Sequence, residues 1–81
     1  MTGPRLSAEQ RRALDLLATG PRGYTKARLV ADGFAIDMLA DLVSEGLATA
    51  QRETLRVGGR AIRVERYRIT DAGRDALAAE G

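Results

Sequence analysis

The 81-residue chain has no cysteine, histidine, tryptophan or asparagine, and a single lysine, Lys26. Without cysteine there is no disulfide framework, thiolate nucleophile or CxxC motif. Without histidine there is no imidazole base or ligand, which removes most hydrolase triads and most transition-metal sites. Ser7 and Ser44 then have no partner to activate them, so an enzyme and a cofactor are not expected. No apolar run approaches the roughly 20 residues that span a bilayer. Residues 1–12 lack the apolar stretch of a signal peptide. The expectation is a soluble cytoplasmic protein with no membrane partner. A chain this short is one domain that buries about 60% of its surface on folding, which excludes a deep interdomain cleft.

Thirteen basic and eleven acidic residues leave a net charge of only +2, but the signs are unevenly spread. Residues 1–30 hold six cations and two anions, and residues 31–46 hold four anions and no cation. Residues 47–70 hold six arginines and two glutamates, and residues 71–81 hold three anions and one arginine. Apolar residues make up 44% of the chain, enough for a globular core and too many for a disordered one.

Gly3 and Pro4 predict a flexible tail over residues 1–5. Ser7 with Gln10 has the form of a capping box, and Ala13, Leu14, Leu17 and Ala18 follow helical spacing from Ala8 to Thr19. Gly20-Pro21-Arg22-Gly23 ends that helix in a turn. Thr25 is the next N-cap, opening a short helix from about Lys26 to Asp32 that Gly33 closes. A third helix runs from about Ala35 to Glu45, with Ile36, Leu39, Ala40 and Val43 as its apolar stripe and Gly46 as a Schellman cap. The period then changes to two. Ala48 to Val57 and Arg60 to Ile69 flank Gly58-Gly59, a two-residue hairpin turn. In that register Leu55 faces Ile62, Arg52 faces Glu65, Ala50 faces Tyr67 and Ala48 faces Ile69. Thr70 caps a last short helix from Asp71 to about Ala79, whose apolar contacts are Ala76 and Leu77. The expected class is α+β: three helices, a hairpin and a short C-terminal helix over residues 6–80.

Three segments carry a resemblance: Gly33-Phe34 between the second and third helices, the L-x-x-L-x-x-x-G-L run from Leu39 to Leu47, and the closing Tyr67-Arg68-Ile69-Thr70-Asp71-Ala72-Gly73-Arg74. Together they resemble the small winged helix-turn-helix domain of bacterial transcriptional regulators of the MarR and PadR type, over nearly the whole chain. The resemblance implies double-stranded DNA as partner, with the third helix in the major groove and the hairpin, or wing, on backbone or minor groove. The groove-facing positions it implies are Ala35, Asp37, Met38 and Asp41. It says little about the ligand, because each motif is mainly structural.

The charge pattern adjusts that picture. A carboxylate can accept from cytosine N4, but Asp37, Asp41 and Glu45 with no cation between them would meet phosphate repulsion. DNA contact therefore falls mainly to the wing arginines Arg52, Arg56, Arg60, Arg63, Arg66 and Arg68, with Lys26 and Arg28 adding backbone contacts. The plainer reading of those arginines is a solvated hairpin paired with Glu53 and Glu65. Leu55, Val57, Ile62 and Val64 fall on one face of the hairpin near its tip. They pack inside the chain, mediate a homodimer or bind a protein partner. The alternative function is thus a protein-interaction module that uses the acidic third helix and the aliphatic wing tip.

Overall fold

The computed structural model describes residues 6–80, so the tail expected at residues 1–5 lies outside the described residues. The elements run α1 (Ala8–Thr19), β1 (Tyr24–Thr25), α2 (Lys26–Ala31), α3 (Ile36–Ser44), β2 (Ala48–Val57), β3 (Arg60–Ile69) and α4 (Asp71–Glu80). This is an α+β domain of four helices on a three-stranded antiparallel sheet in the order β1–β3–β2. No described helix is long and apolar enough to cross a membrane.

Local chemistry sets most of the boundaries. The Ser7 hydroxyl accepts from the Gln10 N–H at 3.0 Å, and the Gln10 side chain accepts from the Ser7 N–H at 2.9 Å, which closes the capping box of α1. Thr25 caps α2 by accepting from the Arg28 N–H at 3.2 Å. At the end of α3, Leu47 N–H donates to Leu42 C=O and Gly46 N–H to Val43 C=O, at 2.9 and 3.0 Å. That is the Schellman pattern, and it needs the positive φ of 77° that Gly46 adopts. Gly58 and Gly59 have φ of 58° and 82°, the sign a type I′ turn requires at both central residues.

The hairpin register follows: Leu55 opposite Ile62, Arg52 opposite Glu65, Ala50 opposite Tyr67 and Ala48 opposite Ile69. Strand β1, which sequence periodicity does not show, pairs Tyr24 with Tyr67 and Thr25 with Arg66. Thr19 helps to hold it there. Its hydroxyl proton goes to Leu16 C=O at 2.6 Å, so the Tyr24 hydroxyl donates to Thr19 Oγ1 at 2.8 Å.

The core is small and aliphatic: Ala13, Leu14 and Leu17 of α1, Leu29 of α2, Met38, Leu39 and Leu42 of α3, and Ala48 and Tyr67 of the hairpin base. Burial pushes the Tyr67 hydroxyl pKa up, the negative Glu65 adds to the rise, and Lys26 opposes it. Helix α3 sits rotated from the expected stripe. It buries Met38, Leu39 and Leu42, while Ile36 is 50% exposed and Ala40 is exposed. The reason is its neighbours: α3 packs between α1 and β2, and both candidate stripes are apolar enough to satisfy helical spacing.

Thr70 joins three elements. Its hydroxyl donates to Gly46 C=O at 2.7 Å and accepts from Gly73 N–H at 3.0 Å, while its own N–H donates to Leu47 C=O at 3.1 Å. The molecule measures 52 × 21 × 20 Å along its principal axes. Ten-residue strands reach about 33 Å, so the hairpin supplies much of the long dimension.

Candidate nucleic-acid interface

Strand alternation divides the hairpin into two chemically different faces. Ala48 and Tyr67 are buried against the helices at its base. Along that same face toward the tip lie Arg52, Thr54 and Arg56 of β2, opposite Glu65, Arg63 and Ala61 of β3. The opposite face carries Leu55, Val57, Ile62 and Val64, together with Arg60, Arg66 and Arg68. The sheet thus separates the six wing arginines into two sets of three.

Their partners separate them further. Arg66 Nε donates to Glu53 Oε1 at 2.9 Å across the strands, with the Arg66 side chain only 21% exposed. Arg68 Nε donates to Arg22 C=O at 3.3 Å. The first links the two strands of the hairpin, and the second ties the hairpin to the turn between α1 and β1. Arg52, Arg56, Arg60 and Arg63 are exposed and have no ion pair among the described residues. Of the glutamate pairs that the plainer reading expects, the one formed by a wing arginine among the described residues is Arg66 with Glu53; the exposed arginines suit a solvated hairpin and a phosphate-binding one alike.

The two basic residues of α2 also have internal duties. Arg28 Nε meets Asp32 Oδ2 at 3.0 Å, and its guanidinium lies 5.2 Å from the centre of the Tyr24 ring. Lys26 Nζ reaches Glu65 Oε1 at 3.5 Å. Lys26 nevertheless stands beside the hairpin, in an open groove of about 800 Å³ that Val30, Arg52, Arg63 and Val64 also line. The structure brings Lys26 together with two wing arginines and places Arg28 elsewhere.

The positions implied on the third helix need correction. Met38 is 7% exposed and belongs to the core, because the rotation of α3 turns it toward α1 and β2; it is withdrawn from the groove-facing set. Ala35 is exposed, but its N–H donates to Glu9 Oε2 at 3.1 Å. Ala35 provides no side-chain cap, so a carboxylate from α1 occupies the positive end of α3. Asp37 and Asp41 are exposed, with no ion pair or side-chain hydrogen bond among the described residues. No group of three or more acidic residues that could hold a metal ion occurs among the described residues.

The aliphatic residues of the hairpin do not join the core. Val57 is 56% and Ile62 is 44% exposed, Leu55 and Val64 are half-buried, and none of the four packs against the core cluster. Of the three readings open for them, packing inside the chain is the one the geometry does not favour.

No protein family, no curated protein and no solved structure matches the chain.

Proposed function

We propose that this chain is a winged helix-turn-helix domain that binds double-stranded DNA through its hairpin, as a small transcriptional regulator of bacterial type. The carrying observation is the set Arg52, Arg56, Arg60 and Arg63: four exposed guanidiniums on one arm, free of internal anions among the described residues. Guanidiniums held apart from carboxylates suit bidentate contact with phosphate. The order of three helices, hairpin and helix supports the fold assignment, as do the motifs that carry the resemblance. In this reading α3 stays off the phosphates. Asp37 and Asp41, with Glu45 at its C-cap and Glu9 at its N-terminus, set a negative field where a recognition helix would need a neutral or positive one.

The test is a backbone amide titration with mixed-sequence duplex DNA at low salt. Shifts concentrated in residues 52–63 and at Lys26, lost steeply as salt rises, are expected. An unchanged spectrum at high DNA concentration overturns the reading. One observation favours the second reading, a protein-interaction module: the exposure of Val57 and Ile62 near the hairpin tip, apart from the core cluster of the described residues.

A further inference from the structure

We propose that the groove between α2 and the hairpin receives the acidic face of α3 from a second copy of this chain. It draws on Arg52 and Arg63, two of the four arginines assigned above to DNA, so self-association and DNA compete for them; it is tested without nucleic acid.

The two surfaces are complementary in charge, spacing and size. The exposed face of α3 is Ile36, Asp37, Ala40, Asp41 and Ser44: two carboxylates beside an isoleucine that is 50% exposed. The groove offers Arg52 and Arg63 above the apolar side chains of Ala27, Val30 and Ala31, with Val30 43% exposed. Its third cation, Lys26, is held by Glu65, which leaves the two arginines as its unpaired charges. Asp37 and Asp41 stand one helical turn apart, about 6 Å between Cβ atoms. Arg63 lies opposite Thr54, so Arg52 and Arg63 are diagonal neighbours on one sheet face, about 7–8 Å apart. A volume of about 800 Å³ accommodates roughly two turns of a helix some 10 Å across.

Within one chain none of these four charges is joined to another. The chain carries both halves of a complementary pair, and a net charge of +2 gives two copies little reason to repel. Docking that is reciprocal about a twofold axis would use each groove and each helix once and close the assembly. Exposed ion pairs over a small contact give weak, salt-sensitive association.

The experiment combines sedimentation velocity with amide shifts over a concentration series, at about 20 mM and about 500 mM salt. At low salt, concentration-dependent shifts are expected at residues 36–44 and around Lys26, Val30, Arg52 and Arg63, and high salt should abolish them. Asp37→Arg/Asp41→Arg and Arg52→Glu/Arg63→Glu should each be monomeric alone, because each sets like charges against one another. All four side chains are exposed, so the fold is expected to survive; the amide spectrum checks this, and Asp37→Asn/Asp41→Asn serves as a milder variant. Mixing the two reversed variants should restore association, the reversed helix of one meeting the reversed groove of the other. Absence of any concentration dependence at low salt overturns the proposal. So does a mixture that stays monomeric. Association that persists at high salt and in both variants also overturns it, and assigns the contact to the aliphatic hairpin face instead.

Discussion

Replacing Arg52 and Arg63 with alanine should change how DNA binding depends on salt, by an amount that follows from counting charges. Each phosphate neutralised by a cation releases condensed counterions, so log Kobs falls against log salt with a slope of about −0.9 per contact. Four unpaired arginines predict a slope near −3.6, and removing two predicts about −1.8. Taking the two lines to converge near 1 M, the double variant should bind about 60-fold more weakly at ~0.1 M salt. Arg66→Ala is the control. Its guanidinium is engaged by Glu53 at 2.9 Å, so the slope should move by less than the removal of a free arginine moves it. Fluorescence anisotropy of a labelled mixed-sequence duplex, titrated at four or more salt concentrations, measures all three slopes. Two results refute the reasoning: an Arg52→Ala/Arg63→Ala slope equal to that of the parent chain, or an Arg66→Ala slope that falls as far as the double variant's.

Three further outcomes concern the scaffold. Gly73→Ala should destabilise although it lies in a helix. The propensity gain is about 1 kcal/mol, but a Cβ there would press on the Leu47 carbonyl oxygen and stand 2.7 Å from Ile69 Cγ1. A net loss of about 1–2 kcal/mol lowers Tm by about 5–10 °C, readable by circular dichroism, and an unchanged or raised Tm would contradict the close approach. Glu9→Ala should cost about 1 kcal/mol in urea denaturation by removing the carboxylate that accepts from Ala35 N–H, and Glu9→Gln should recover part of it. The raised Tyr67 pKa means the folded chain holds that proton more tightly than the unfolded one. Stability from this source is therefore full below pH ~10 and falls above it, and Tyr67→Phe should flatten that alkaline decline in pH-dependent urea melts.

Much of the fold was legible because its signals are local. Ser7 with Gln10, the Gly46 cap and the Gly58-Gly59 turn each act within a few residues, and the bounds of α1 and of both hairpin strands follow from them. What escaped depends on partners distant in sequence. Strand β1 is two residues long and exists because Tyr24 and Thr25 meet Tyr67 and Arg66; the available hint was Gly23, where any Cβ would strike the Tyr67 carbonyl. The rotation of α3 was not readable, since Ile36 and Ala40 are as apolar by pattern as Met38 and Leu42, and only packing chooses between them. The Glu9 contact with Ala35 spans 26 residues and leaves no periodic trace. For the candidate site, alternation puts Leu55, Val57, Ile62 and Val64 on one face of the hairpin, as the register has them. It cannot show that Arg66 and Arg68 are already spent on Glu53 and Arg22.

The short reach of β1 has a consequence for the arm. Its pairing with β3 covers only Arg66 and Tyr67, so from Glu65 to the turn the hairpin is a ribbon of two strands with no third layer beneath its tip. Such ribbons are marginal by themselves and open far more often than the domain unfolds. The arm is thus the part of the fold expected to open first, and a ligand that grips its arginines would then spend part of its binding energy on order. Affinity then becomes adjustable from a distance. A substitution at Gly58 or Gly59 that loosens the turn would weaken binding without removing a single contact, by enlarging the set of conformations that the free arm visits.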